Sequence, residues 1–319
     1  MRGRSVCLAL AILLLSSFAA MAEAPEPVAI TAEQAAAARD APGAVLAVAS
    51  GTMDDGGEMR PHLIEYHTAE WCAPCAVAEQ SLDDTTAWWP TLAVNTHHSS
   101  ALEEDIGIPH SRMLMAEQNQ TGFPTLVIDG HWVLRGSTHS TRLSEVLTAL
   151  STLEADLDRD DLTNISLRFD VHEDVERNEA VLTWNLSAPD TNLSRVVVDV
   201  TVTAPMETRS GAGVVWMSRD ITLHEGDETM RIDLDSEWNA SELEFTVILR
   251  RMGTMAGEEP VVGGLQGWRE VPLEVEPNRP DLVPLMVGVL MLLLLAPAVS
   301  RSISRMPVLL GLRPDDEEE

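Results

Sequence analysis

Two cysteines separated by two residues are the side chains of this sequence best suited to chemistry. Cys72 and Cys75 stand in the segment Glu70-Trp-Cys-Ala-Pro-Cys75, and such a spacing occurs in zinc sites, haem attachment signals and redox pairs. A structural zinc site needs a second ligand pair, but the only other cysteine is Cys7. Haem attachment needs a histidine directly after the second cysteine, where Ala76 stands. The pattern therefore favours a redox-active dithiol.

The secondary structure predicted around the two cysteines would make Cys72 more reactive. The run His62-Leu-Ile-Glu-Tyr-His67 is typical of a strand, and a helix is predicted to open at the cysteines. The free N–H groups at a helix N-terminus carry partial positive charge, which stabilises a thiolate on Cys72. Cys75 lies one turn further along and is more shielded, which suits it to resolve a mixed disulfide.

The motif resembles the active site of the thioredoxin family, which reads Trp-Cys-Gly-Pro-Cys. A second segment, Gly122-Phe-Pro-Thr125, resembles the one that carries the family's cis-proline. The resemblance implies a thiol-disulfide oxidoreductase that needs no cofactor and works through a redox-active disulfide. It implies these site residues: catalytic Cys72 and Cys75, and substrate-binding Trp71, Phe123 and Pro124.

The sequence departs from the family near the dithiol. The family's buried acid, six residues before the first cysteine, is replaced by Tyr66, and the adjacent Glu65 lies on the other face of the predicted strand. Proton transfer is therefore assigned to Glu65, to Tyr66 or to water. The family's partner lysine is absent because the chain contains no lysine.

The residues between the cysteines bear on the direction of electron flow. Ala-Pro resembles the Gly-Pro of reducing members, whereas oxidising members carry a histidine there, so we expect a reductant. A tethered, outward-facing reductant resembles the thioredoxins of cytochrome c maturation. That resemblance implies disulfide-containing exported proteins as substrates and a transmembrane thiol transporter as electron donor.

Two other functions stay open. Extracytoplasmic copper chaperones also have thioredoxin-like folds and bind copper through two cysteines and a histidine, and His97-His98 would be the candidate ligands. Their cysteines are separated by three residues instead of two, so no metal site is assigned here. The second alternative is a surface adhesion or sensing protein in which a β-domain does the work.

The chain is predicted to contain two folded domains. The resemblance implies an α/β thioredoxin-like domain over residues 61–157, preceded by an extension with a first strand region over residues 23–60. Residues 163–277 alternate apolar and polar side chains in about seven segments, which predicts an all-β sandwich of immunoglobulin or fibronectin type.

Both ends of the chain indicate export and membrane attachment. Residues 1–22 have the basic, apolar and small-residue regions of a signal peptide. Residues 282–299 are uncharged and apolar on every helical face, which predicts a single transmembrane helix in the lipid bilayer. Arginines in the tail, residues 300–319, predict a type I protein of the cell membrane with its bulk outside.

Charge and glycosylation signals fit the same location. The formal net charge of −30 excludes a nucleic-acid-binding protein, because a polyanion would be repelled. Five Asn-X-Ser/Thr sequons fall on the predicted outer side, either as glycosylation sites or as polar turns of a β-rich protein. They are Asn119, Asn164, Asn185, Asn192 and Asn239.

Overall fold

The computed structural model describes most of the chain between residues 28 and 270. The described ranges are 28, 30–53, 55–100, 106–118, 120–156, 165–189, 196–220, 226–251, 253–254, 260–261 and 269–270. The predicted signal peptide, transmembrane segment and tail lie outside these residues, as do three of the five sequons, Asn119, Asn164 and Asn192. Within the described part, no helix is both long and apolar enough to cross a bilayer.

The first half of the described chain contains both helices and strands. They are α1 (Ala32–Arg39), β1 (Val45–Thr52), β2 (Gly56–Met59), β3 (Leu63–Thr68), α2 (Cys75–Trp88), β4 (Ala93–His98), α3 (Pro109–Glu117), β5 (Thr125–Ile128), β6 (Trp132–Arg135), α4 (Gly136–Ser140) and α5 (Leu143–Asp156).

Strands dominate the second half, interrupted by a short 3₁₀ helix at Ala240–Glu242. They are β7 (Ser166–Asp174), β8 (Glu179–Ser187), β9 (Val196–Pro205), β10 (Ala212–Asp220), β11 (Gly226–Asp233), β12 (Glu244–Arg251), β13 (Gly253–Thr254), β14 (Pro260–Val261) and β15 (Arg269–Glu270). Within the part of the chain that the structure describes, strands β13 and β14 pair only with each other.

Eight strands form one large antiparallel sheet in the order β10-β9-β12-β1-β2-β7-β8-β11. The alternation of Leu167, Phe169 and Val171 predicts a strand with one buried face, and β7 buries these three side chains while exposing their neighbours. The sheet curls, so that inward side chains of seven of its strands, all except β2, share a hydrophobic core around Trp184 and Phe245.

A second, smaller sheet packs against the helix that begins at Cys75. Its order is β15-β6-β5-β3-β4, with β3 parallel to β4 and antiparallel to β5. On one face, Ile64 and Leu126 pack with Ala78 of α2 and Leu147 of α5. These helices cover that face because each presents an apolar stripe.

The large sheet covers the other face of the small sheet. Val48 of β1 and Ile248 of β12 pack against Leu63 of β3 and Ala93 of β4. Strand β1 is therefore buried on both sides, since Ala47 and Ala49 point into the core of the large sheet. This double burial explains why its sequence is apolar without a clear alternation.

A buried network of ion pairs joins the same two sheets. Arg250 of β12 donates to Glu65 of β3 and to Asp199 of β9. Arg219 of β10 also donates to Asp199, at 2.6 Å, and to Glu117 at 2.7 Å. Burial alone would raise the pKa of Asp199, but the Arg250 and Arg219 guanidinium groups bring it below its ordinary value. Removing one partner of such a network typically lowers the free energy of unfolding by about 3–5 kcal/mol, because a buried charge is left uncompensated.

The predicted fold class, an α/β thioredoxin-like domain followed by a separate β-sandwich, is wrong; the transmembrane helix predicted after them lies outside the described residues. The described residues are mostly β, with few helices, and the dominant element is the eight-stranded antiparallel sheet. That sheet takes β1 and β2 from the predicted N-terminal extension and joins them to strands beyond residue 165. The error has a physical cause, because an apolar run such as Val45–Thr52 does not specify which strand it will pair with.

Candidate functional site

Cys72 and Cys75 are joined by a disulfide at the start of α2. The Cys72 N–H donates to the Ala69 carbonyl at 3.0 Å, and the Cys75 N–H donates to the Cys72 carbonyl at 3.1 Å. Pro74 fits here because the first turn of a helix has no partner for an N–H group. Cys75 is fully buried, whereas Cys72 keeps 4% of its surface exposed. Cys72 is thus the more accessible partner for another molecule.

An apolar surface adjoins the disulfide. Trp71 is 57% exposed, and its ring meets the ring of Phe123 edge to face with centroids 5.6 Å apart. Phe123 also packs against Ala69, Cys72 and Cys75. The structure therefore brings together the predicted catalytic cysteines and two of the predicted substrate-binding residues.

Pro124, the third predicted substrate-binding residue, follows Phe123 through a cis peptide bond. It is buried at the entrance to β5, and its carbonyl accepts the Gly136 N–H at 2.9 Å. Pro124 thus fixes the course of the chain just after the ring that touches the disulfide.

Tyr66 lies beneath the dithiol, as its place six residues before Cys72 suggests. Its buried hydroxyl lies 3.3 Å from the Cys75 carbonyl and 3.1 Å from both Thr68 Oγ1 and Glu79 Oε1. Burial raises the pKa of Tyr66 well above its ordinary value, so the hydroxyl stays protonated and acts as a donor.

Glu79 is an acidic residue of α2, one helical turn beyond Cys75, and it was not among the predicted site residues. It follows Cys75 by four residues, so both lie on the same face of α2. Its carboxylate accepts hydrogen bonds from Tyr66 and from Thr68, and it also accepts one from Arg209. The i, i+4 spacing from a cysteine at a helix start was the available signal.

Glu65 points away from the dithiol, to the opposite face of β3. It accepts hydrogen bonds from Arg250 and, at 2.6 Å, from Gln118. Burial raises the pKa of Glu65 more than the Arg250 guanidinium lowers it. Of the two predicted proton-transfer residues, only Tyr66 contacts the segment that carries the cysteines.

The paired histidines at the end of β4 have separate surroundings. His97 Nδ1 lies 3.0 Å from Ser111 Oγ, and the ring stacks on His67 with centroids 5.2 Å apart. His98 Nε2 lies 3.0 Å from both the Ala212 carbonyl and Ser210 Oγ. Among the described residues, no three His, Cys, Asp or Glu side chains are grouped as metal ligands.

Two sequons lie within the described residues, and both asparagines are exposed. Asn185 donates from Nδ2 to Asp227 at 2.8 Å across the β8–β11 pair. Asn239 precedes the 3₁₀ helix and accepts a hydrogen bond from Ser241 at 3.0 Å. Glycosylation at either asparagine stays a prediction.

Comparison with known proteins does not assign a family. No family profile and no curated protein matches the chain. A crystal structure of a protein from Agrobacterium tumefaciens, a structural genomics target, is similar over 62% of this chain and 98% of its own, with 11% sequence identity and a TM-score of 0.35.

Proposed function

We propose that the chain is a thiol-disulfide oxidoreductase that reduces disulfides of exported proteins. The observation that carries the proposal is the Cys72–Cys75 pair at the first turn of α2, beside the exposed Trp71. A buried disulfide that only stabilises a fold needs no apolar surface beside it in water. A disulfide that exchanges with a partner chain needs such an apolar surface to bind that chain.

The cycle starts with the reduced pair. The Cys72 thiolate attacks one sulfur of a target disulfide, forming a mixed disulfide and releasing the other target sulfur as a thiolate that takes up a proton. Cys75 then loses its proton and attacks the Cys72 sulfur. The second target thiol leaves, and the Cys72–Cys75 disulfide forms, so two electrons and two protons have passed to the target.

We assign a role in this cycle to each group of residues around the cysteines. The helix N-terminus stabilises the attacking thiolate, while Trp71 and Phe123 hold the target chain against the disulfide. The Tyr66 hydroxyl lies within hydrogen-bond distance of Glu79 and of the Cys75 carbonyl, and we propose that the Cys75 proton leaves through this hydrogen-bonded group. Renewal of the dithiol requires an electron donor, for which we propose a transmembrane thiol transporter.

A trapping experiment tests the proposed roles of the two cysteines. In the full chain, Cys75→Ser should accumulate covalent complexes with disulfide-containing proteins that a reductant releases, because the mixed disulfide is not resolved. Cys72→Ser should trap far fewer, since the attacking sulfur is gone. Non-reducing electrophoresis followed by mass spectrometry measures both variants. Equal trapping by the two, or none by either, would show that the roles are wrong.

A further inference from the structure

The large sheet reaches the dithiol through the hairpin between β9 and β10. Residues 206–211 form its tip, where Met206 N–H donates to Gly211 O and Gly211 N–H donates to Thr208 O, both at 3.1 Å. Gly211 has a positive φ of 71°, a conformation that glycine adopts without steric cost. The tip presents Arg209, which no sequence pattern links to the cysteines.

Arg209 contacts the chain on both sides of the dithiol turn. Its Nη2 donates to the Ala69 carbonyl at 3.2 Å, and the same carbonyl accepts the Cys72 N–H at 3.0 Å. Its Nε donates to the carboxylate of Glu79, one helical turn beyond Cys75. A single guanidinium thus bridges the residue three before Cys72 and the residue four after Cys75.

The hairpin is closely fitted in this position. Ser210 Oγ and the Ala212 carbonyl both lie 3.0 Å from Nε2 of His98, the last residue of β4. A Cβ added at Gly213 would lie 2.8 Å from the His98 ring and 2.4 Å from the Met206 sulfur. Val214 and Met217 of β10 pack with Leu114 of α3. These contacts fix the hairpin that carries Arg209.

The charges at this position affect the reactivity of the dithiol. A carboxylate one turn beyond Cys75 disfavours a thiolate, because like charges repel at short range. The Arg209 guanidinium compensates Glu79, and the Glu79 hydrogen bond in turn raises the pKa of Arg209, with smaller contributions from Tyr66 and from Glu70 on the other side of the cysteines. Because the chain has no lysine, the cation near the dithiol must be an arginine or a histidine.

We propose that Arg209 is a positioning residue through which the large sheet sets the reactivity of the Cys72–Cys75 pair. It holds Glu79 as a compensated carboxylate beside Cys75 and favours the thiolate of Cys72. This role rests on the proposed oxidoreductase function, but it concerns the ionisation of the reduced pair, which can be measured without any protein substrate.

The test is the pH dependence of Cys72 alkylation in the reduced full chain, with iodoacetamide as the probe and peptide mass analysis to locate the label. Arg209→Gln should move the midpoint of the pH dependence upward by about one pH unit. Below the midpoint, alkylation should therefore be about tenfold slower than in the unmodified chain. Glu79→Gln should move it downward, because the opposing carboxylate is gone. Arg209→Lys should stay close to the unmodified chain, since the charge is kept.

A double-variant cycle separates this role from a general loss of structure. In the Glu79→Gln background, Arg209→Gln should shift the midpoint by less than half of its effect in the unmodified chain, because without the Glu79 carboxylate the guanidinium is no longer held in place beside the cysteines. Arg231→Gln is the matched control, since Arg231 lies on β11, at the opposite edge of the large sheet from β10, and pairs there with Asp174 and Glu179.

Two results would overturn the inference. One is an Arg209→Gln midpoint that matches that of Arg231→Gln. The other is an Arg209→Lys midpoint that shifts as far as that of Arg209→Gln, which would mean that packing and not charge is responsible. These outcomes are independent of the proposed function, because failure of Cys75→Ser to trap partners would leave the alkylation shift unaffected.

Discussion

At the scale of single residues, the unusual feature is the exposure of Trp71, a large apolar side chain. Its indole is 57% exposed although it stands directly before Cys72 and touches the ring of Phe123. Large aromatic side chains contribute strongly where a partner covers them. We therefore expect Trp71 to act in binding the target chain and not in the chemistry of the sulfurs.

Replacing Trp71 with Ala should separate binding from reactivity. The KM for a protein disulfide such as insulin should rise about tenfold, corresponding to a loss of about 1.4 kcal/mol of contact. The rate with a small disulfide such as oxidised glutathione should change little, because it does not span the apolar surface. Steady-state kinetics with both substrates measures the difference.

Trp88 provides the control for this prediction. It is 84% exposed at the far end of α2, thirteen residues and about 20 Å beyond Cys75 along the helix. Trp88→Ala should leave the KM for insulin and the rate with oxidised glutathione unchanged. An equal KM for the Trp71→Ala variant and the unmodified chain would contradict the assigned role of Trp71.

The sequence indicated some of these residues and not others. Cys72, Cys75 and Trp71 form one contiguous motif, and Phe123 belongs to a second motif that the resemblance paired with it. Arg209 is separated from Glu79 by 130 residues, so only the folded chain brings them together. A single sequence carries no signal for such a long-range pair, whereas the local helical spacing of Glu79 could have been noticed.

At the scale of elements, the contact between β3, β4 and the large sheet buries more polar groups than a sheet face usually does. His67 of β3 is fully buried, with Nε2 at 2.6 Å from Gln118 Oε1 and with the ring stacked on His97. Arg250 and Glu65 lie in the same contact. Burial lowers the pKa of His67 to about 4, because a charged imidazole would lose its hydration there.

The lowered pKa predicts loss of stability in mild acid. Between about pH 6.5 and pH 4 the unfolded chain binds a proton at His67 that the native chain does not bind, so the free energy of unfolding falls as pH falls. The contribution of His67 is about 1.4 kcal/mol per pH unit in this window. Urea unfolding at several pH values, followed by tryptophan fluorescence, measures the slope.

Two variants isolate this effect. His67→Phe should reduce the slope in the window by about 1.4 kcal/mol per pH unit, because one titrating ring is removed, while the stacked His97, whose pKa burial also lowers, keeps its own contribution. His172→Asn should leave the slope unchanged, since His172 is exposed on β7. A slope in His67→Phe equal to that of the unmodified chain would show that His67 does not couple protonation to folding.

Elements were easier to predict than their pairing. The alternation of Leu167 and Phe169 identified a strand with one buried face, and the cysteine motif correctly preceded a helix. Strand β1, however, is buried on both sides and pairs with β12, some 200 residues away. Pairing over such distances depends on the packing of whole sheets, which local periodicity does not encode.

At the scale of the whole molecule, the two sheets form a single described unit in which one supports the other. The ion pairs of Arg250 and the hairpin with Arg209 link the large sheet to the small sheet and to the helix that begins at Cys75. The chain has a formal net charge of −30 and contains no lysine. Arginine therefore supplies every permanent side-chain cation in the ion pairs between the two sheets. The large sheet is thus part of the surroundings of the dithiol and not an independent appendage.

The central claim is that Cys72 and Cys75 exchange reversibly between dithiol and disulfide. The most direct measurement equilibrates the full chain with glutathione buffers of graded ratio and determines the oxidised fraction of the pair after acid quenching. We expect a single reversible transition between about −300 and −200 mV, the range of cellular reductants of this chemistry. A pair that stays oxidised in every buffer would contradict the account, because it would behave as a structural disulfide.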